Sequence, residues 1–329
     1  MTKPLASLSL DLDNEWSYLK THGDPEWHRL PSYLDKVVPR VLDFLAQREN
    51  QRITFFVVGQ DAALKKNEEA IASIAKAGHE IGNHSFHHEP WLHLYSPQQI
   101  VDELQSAEWH LERVTGHRPL GFRGPGYSMS DTLLETLAKL GYEYDASSLP
   151  TFIGPLARAY YFMTAKLDQQ QKQERNILFG TVRDAFRPLD PYKWDMKNEN
   201  GGLIEIPVTT MPLLRAPIHF SYIIYLSRFS RALALGYYRT ALRLCELTGT
   251  QPSLLLHPLD FLGKEDLSTL NFFPGMDLAR EPKLELMGTL VDDLRSRFRV
   301  VPMIEHARAA AASKLPIKDL AYASSGSAA

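Results

Sequence analysis

The chain has 329 residues, 44% of them hydrophobic and 23% charged, with a formal net charge of −3. This composition is that of a folded body with a sizeable core, and without a basic face or recognisable module it excludes nucleic-acid binding. The single cysteine, Cys245, excludes an internal disulfide framework.

Short apolar runs predict strands at 5–10, 53–58, 79–83, 120–123, 143–147, 203–208, 253–256 and 299–301. Amphipathic segments at 67–78, 96–116 and 130–141 lie between them. The clearest is 96–116, with Ser96 as N-cap, Pro97 at the first helical position, Ile100, Leu104, Ala107, Leu111 and Val114 on one face, and Gly116 as stop. Alternating strands and helices imply parallel strands and a (β/α) barrel, whose active-site residues gather at the carboxyl ends of the strands. The expected organisation is one barrel over 1–312 with insertions in 151–250, then a flexible small-residue tail over 313–329. The first strand begins by residue 5, which leaves no room for a secretion signal, so a cytoplasmic location is expected.

Residues 151–250 carry a net charge of +5, whereas the other 229 residues carry −8. Aromatics and cations mix at 152–163 and again at 217–247, where Arg228, Arg231, Arg239 and Arg243 recur. The simpler reading is a set of lids and barrel helices whose arginines solvate their outer faces. The alternative is peripheral contact with an inner membrane face or a lipid-linked substrate. The longest uncharged run, Ala216 to Ser227, is 12 residues, short of the roughly 20 needed to span a bilayer.

Residues 78–90, Gly-His-Glu-Ile-Gly-Asn-His-Ser-Phe-His-His-Glu-Pro, set His84 and His88 four positions apart in a glycine-flanked turn. Histidine pairs at this spacing also arise on helix surfaces, but the strand-like run between Gly78 and Gly82 fits neither a helix face nor a packed core. Two imidazoles and one carboxylate make a common catalytic zinc set with a position left open. Asp11 and Asp13, at the end of the first strand, offer the carboxylate, and His87 reads as a bystander. Three further stretches follow: Gly121-Phe122-Arg123-Gly124-Pro125-Gly126-Tyr127-Ser128, Tyr144-Asp145-Ala146-Ser147-Ser148, and Leu254-Leu255-Leu256-His257-Pro258-Leu259-Asp260. Taken singly, Arg123 could be a salt-bridge arginine and His257 a satisfied core histidine. Their positions just after strands favour a site. Asp145 either orients His257 or caps the turn ahead of Ser147 and Ser148.

In this order the motifs resemble the polysaccharide deacetylase family, carbohydrate esterase family 4, also called the NodB-homology domain. The resemblance implies a distorted barrel of about seven strands and a divalent metal, most often Zn²⁺, with Co²⁺, Mn²⁺ or Ni²⁺ also suited. His84-Ser85-Phe86-His87-His88 matches the motif that supplies two imidazoles, and Asp13 would be the third ligand. Asp11 would be the general base, oriented by Arg123 of the Arg-x-Pro motif. The Gly126 amide would face the oxyanion, and Tyr127 would take the place of the aromatic that meets substrate. Leu255-Leu256-His257 matches the motif whose histidine is the general acid. Two departures stand out: Leu12 separates aspartates that are commonly adjacent in the family, and the aromatic has moved one place to Tyr127.

The chemistry requires such an inventory independently of the resemblance. An amide is a poor electrophile, so its hydrolysis needs Lewis acidity at the carbonyl, a base for the water, oxyanion donors, and an acid for the departing nitrogen. The expected function is metal-dependent removal of an N-acetyl group from an N-acetylated sugar of a glycan or of a glycan precursor, lipid-linked or soluble. The alternatives are deformylation or other amide hydrolysis, and a non-catalytic glycan-binding descendant.

Overall fold

The computed structural model describes residues 3–152, 185–196 and 202–320. Its strands are β1 (Leu5–Leu12), β2 (Thr54–Val57), β3 (Glu80–Asn83), β4 (Gly121–Phe122), β5 (Tyr144–Asp145), β6 (Tyr192–Asp195), β7 (Ile204–Glu205), β8 (Ser253–Leu256), β9 (Arg299–Val301) and β10 (Ile317–Asp319). They form one sheet in the order β10-β6-β7-β5-β4-β3-β2-β1-β8, with β9 also on β1. The pairings are parallel except that of β6 with β7. The helices are α1 (Glu15–His22), α2 (Leu34–Ala46), α3 (Gly59–Ala63), α4 (Glu68–Lys76), α5 (Pro97–Thr115), α6 (Asp131–Lys139), α7 (Phe220–Ser227), α8 (Arg231–Thr248), α9 (Arg280–Arg297) and α10 (Met303–Ala311). This mostly parallel sheet with its helices is consistent with a distorted (β/α) barrel. Just past β7, the Thr209 amide donates to the Ser253 carbonyl (2.9 Å) and the Ser253 amide to Thr209 Oγ1 (2.8 Å).

The central strand β1 divides the molecule by its period of two. Ala6, Leu8, Leu10 and Leu12 enter the main core with Val37 and Val41 of α2, Leu242 of α8 and Leu290 of α9. Ser7, Ser9 and Asp11 alternate with them and are also buried. They find polar partners: Ser7 Oγ lies 2.9 Å from His306 Nδ1, and Ser9 and Asp11 both reach Arg123. A second core cluster sets Leu104 of α5 and Leu133 of α6 against Phe122, Tyr192 and Trp194.

The helix punctuation acts as its chemistry dictates. Ser96 caps α5 with a full capping box to Gln99, and Gly116 ends it in the left-handed conformation at φ 76°. Ser130 caps α6 by accepting from the Leu133 amide. The segment from residue 313, expected to be a free tail, instead pairs as β10 with β6, and the Lys193 amide donates to the Pro316 carbonyl (2.9 Å). Three residues at a sheet edge have too little hydrophobic pattern to announce a strand. Residues 321–329 lie outside the described residues, as do 153–163 of the aromatic and cationic stretch.

The cationic stretch 217–247 folds into α7 and α8, which bury Phe220, Ile223, Ile224, Ala234, Tyr238, Ala241, Leu242 and Cys245. Its arginines pair with acids at the surface: Arg228 with Asp277, Arg231 with Glu285, Arg239 with Asp293 and Arg243 with Glu246. Among the described residues no helix is long and apolar enough to cross a membrane.

Leu10→Ala should destabilise the fold by about 2–5 kcal/mol, because it empties a side-chain volume in the buried face of β1. Urea unfolding at constant m-value measures this. A loss below about 1 kcal/mol would mean that this face does not anchor the core.

Candidate metal centre and active site

The end of β1 delivers two carboxylates to one place. Asp11 and Asp13 are two residues apart, so the alternation that buries Leu10 and Leu12 in the core sends both acids to the opposite face. The intervening Leu12 is therefore a condition of their meeting. Past the strand the chain turns immediately: Asn14 caps α1 by accepting from the Glu15 amide, and its Nδ2 donates to Asp61 Oδ1 (2.7 Å). Tyr33 Oη donates to the Asp13 carbonyl (2.5 Å) and fixes the turn from α2's side.

The histidines arrive on the turn after β3. Asn83 Oδ1 accepts from the Ser85 amide (2.8 Å), and Ser85 Oγ accepts from the His88 amide (3.2 Å). Ser85 and His88 both sit at positive φ, 60° and 54°, a tight winding that turns both rings inward. His84 Nδ1 lies 2.6 Å from the Arg123 carbonyl. A carbonyl only accepts, so Nδ1 carries the proton and Nε2 is the nitrogen offered to the site. His84 Nε2 is 3.3 Å and His88 Nε2 2.9 Å from the same Asp13 Oδ1.

Arg123 is wholly buried (0% exposed) and joins the two carboxylates' surroundings. Its Nη1 donates to Asp11 Oδ1 (2.7 Å) and Ser9 Oγ (2.8 Å), and its Nε to the Ala146 carbonyl (3.0 Å). The guanidinium also lies 4.4 Å from the centre of the Phe56 ring. Beyond it, Gly124 to Tyr127 form a tight turn in which the Tyr127 and Ser128 amides donate to the carbonyls of Gly124 and Pro125. The first amides of such a turn have no partner within it, and proline has none to offer, which leaves the Gly126 N–H. Gly124 must be glycine, since a Cβ there would stand 2.1 Å from the Ser128 carbonyl oxygen. Burial and then the Asp11 charge raise the Tyr127 hydroxyl's pKa.

His257 follows β8, and its ring Nδ1 lies 3.0 Å from Ser221 Oγ. Asp145 is not its partner in the structure. Asp145 Oδ1 accepts from Ser147 Oγ (2.6 Å), and Ser147 Oγ accepts in turn from the Gly124 amide (2.8 Å), so Asp145 secures the turn after Arg123. Its second neighbour is Glu205, whose carboxyl also accepts from the Ser148 amide (2.9 Å) and Trp194 Nε1 (3.1 Å). Burial and then the Asp145 charge push Glu205 well above the usual carboxyl range, and burial raises Asp145 as well. Both shifts run toward the protonated form. Sequence reasoning missed Glu205, Ser221, Tyr33 and Tyr18, for none stands in a motif. Tyr18 Oη is buried without a hydrogen-bond partner, and burial and then Asp13 raise its pKa.

One oxygen and two nitrogen donors, all buried and within 4.8 Å of one another, fit a divalent cation. The polar atoms that approach the buried Asp13 Oδ1 are the two histidine Nε2 atoms, which fits an atom placed for coordination. Burial alone would raise Asp13, but His88 and His84 hold its carboxyl well below the usual range. Burial likewise works against a charge on His84, yet Asp13 and then Asp11 raise its pKa. The pocket therefore concentrates negative potential on the spot where the three donors meet. This set admits zinc, cobalt, manganese or nickel.

After matched loading and removal of free ion, the protein should hold about one divalent cation per chain by elemental analysis, and His88→Ala should hold none. Equal metal in both would dissolve the proposed centre. The Asp145 and Glu205 pair predicts a separate pH effect. Its folded-state pKa values are raised, so the folded chain retains a proton that the unfolded chain releases, and stability falls as pH climbs above the ordinary carboxyl range. Glu205→Gln should flatten that part of the urea stability curve relative to the parent, and parallel curves would show that the pair retains no proton.

The sequence profile of polysaccharide deacetylases matches residues 27–144. The peptidoglycan-N-acetylmuramic acid deacetylase PdaA of Bacillus subtilis is 37% identical over 171 residues, 51% of this chain and 64% of that protein. A peptidoglycan deacetylase of Helicobacter pylori is 31% identical over 207 residues, 62% of this chain and 64% of the relative. The matched stretch thus spans just under two thirds of each relative's length. A crystal structure from Mycobacterium smegmatis, assigned as a polysaccharide deacetylase, shares the fold with a TM-score of 0.59 at 21% identity, covering 97% of this chain and 98% of that one. Over residues 27–144 the chain is thus similar to polysaccharide deacetylases, and the aspartate and histidine cluster and the buried arginine gather at the strand ends of the shared fold.

Proposed function

We propose that this protein is a metal-dependent hydrolase that removes the acetyl group from an N-acetylated sugar of a glycan, with peptidoglycan-type sugars the first substrates to try. The observation that supports this best is the convergence of His84 and His88 on Asp13 beside a second carboxylate, Asp11, that is held separately by Arg123. The two acids are thereby given different work.

Asp13, His84 and His88 would hold the cation, with zinc the first choice. When bound, it would supply Lewis acidity toward the acyl oxygen and a water acidic enough to ionise near neutral pH. Asp11 keeps one oxygen on Arg123 and has the other to take the water's proton, so the guanidinium both directs the base and balances its charge. The Gly126 amide and the Tyr127 hydroxyl are the donors available to the negative charge that grows on the carbonyl oxygen. His257 gives a proton to the departing amine nitrogen, which cannot leave as an anion.

Acetate release from N-acetylated peptidoglycan fragments tests the reading. Asp13→Ala should lose both metal and turnover, whereas Asp11→Asn should keep its metal and lose roughly 10²–10⁴-fold in kcat. The reverse pattern would exchange the two roles. Formate release from an N-formyl sugar in place of acetate would redirect the reading to deformylation, and tight glycan binding without any acyl release would make the chain a binding protein.

A further inference from the structure

We propose that Ser221 and Asp260 clamp the His257 ring in a single tautomer, which makes Ser221 a positioning residue for the general acid; this rests on the acid role proposed above for His257. Two contacts from different elements define the clamp. Ser221, in the first turn of α7, meets the ring at Nδ1 (3.0 Å), and Asp260, three residues beyond His257, accepts the His257 backbone N–H at Oδ2 (2.8 Å).

The donors and acceptors order themselves. The Ser221 hydroxyl also reaches the Asp260 carboxyl and favours its charged form. With the serine proton directed to Asp260, the serine lone pair would face the ring and His257 Nδ1 would carry the hydrogen. Nε2 is the nitrogen left to exchange a proton with substrate. As the amide C–N bond breaks and its electron pair passes to nitrogen, the Nε2 proton follows, and the ring is left neutral with its remaining proton already on Nδ1. No group has to turn during the step.

The surroundings favour the arrangement. The His219 ring, 6.3 Å from His257, is kept neutral because burial and then His257 drive its pKa down to about 3. Behind Asp260 stands Lys283, buried, with its Nζ donating to the carbonyls of Leu259 (2.6 Å), Leu262 (2.6 Å) and Gly275 (3.2 Å). Burial raises the Asp260 pKa, while His257, Ser221 and Lys283 pull against it. Tyr18 also lies within the field of Asp260. Ser221 comes from the long segment between β7 and β8, so that insertion helps to build the catalytic corner.

The test compares two substrates on the zinc-loaded protein: an N-acetylated glycan fragment, whose amine needs an acid in order to leave, and an aryl acetate ester, whose phenolate does not. Ser221→Ala should lower kcat on the amide roughly 10-fold with KM changed less than about 2-fold, spare the ester, and be rescued by Ser221→Thr. Equal losses on both substrates, or no loss on the amide, would overturn the clamp. His257→Ala with undiminished amide turnover would instead overturn the acid role itself. Nitrogen-15 spectra of ring-labelled histidine give a readout free of turnover. Neutral His257 should show Nδ1–H in the parent and a mixture in Ser221→Ala, and an Nε2–H ring in the parent would refute the proposal.

Discussion

The site depends on one buried cation. Arg123 lies wholly inside the protein, where an unpaired guanidinium would be strongly unfavourable, so the groups around it have to satisfy it in fixed positions. Asp11 balances its charge, and Ser9 and the Ala146 carbonyl take further N–H groups. Its own backbone carbonyl accepts the His84 Nδ1 proton. One residue thus orients the base with its side chain and sets a ligand's tautomer with its main chain. The base and the metal ligands cannot move independently of each other.

That arrangement explains why so many neighbouring groups are polar and yet wholly buried. The Asp145, Ser147 and Gly124 chain of hydrogen bonds holds the turn that follows Arg123. Asn14, Asp61 and Tyr33 hold the turn that follows Asp13. Each turn carries a reactive group at one end and a strand at the other. Buried polar networks of this kind are worth keeping only when their members are satisfied, because a half-satisfied network is worse than an apolar core. Asp13 Oδ1 has only the two histidine nitrogens beside it, where a cation can complete the group, and Tyr18 Oη is buried without a hydrogen-bond partner.

The separation of Asp11 from Asp13 by a leucine, a departure from the adjacent pair common in the polysaccharide deacetylases that the chain resembles, has a simple geometric meaning. Residues two apart on a strand share a face, so Leu12 can belong to the core while both acids belong to the site. Arg123 then engages the first acid and the two histidines the second. Asp145 shows the opposite case. Its place after a strand left it either to orient His257 or to cap the turn ahead of Ser147 and Ser148, and in the structure it accepts from Ser147 Oγ.

Much of the fold was legible in the chain because its signals are local. Hydrophobic runs located β1 to β5 and β7 to β9, and Ser96 and Gly116 marked helix ends through caps that need only near neighbours. The histidine and aspartate spacings marked the metal-binding candidates for the same reason: their geometry is set within a turn or a strand. Only the tertiary structure could decide what depends on contacts between distant segments. The Arg123 and Asp11 ion pair spans 112 residues, the His257 and Ser221 contact joins β8 to a separate helix, and β10 exists as a strand only because β6 lies beside it. A sequence records which groups are present and how near neighbours can turn; which distant group fills each polar vacancy is settled by the packing of the whole sheet.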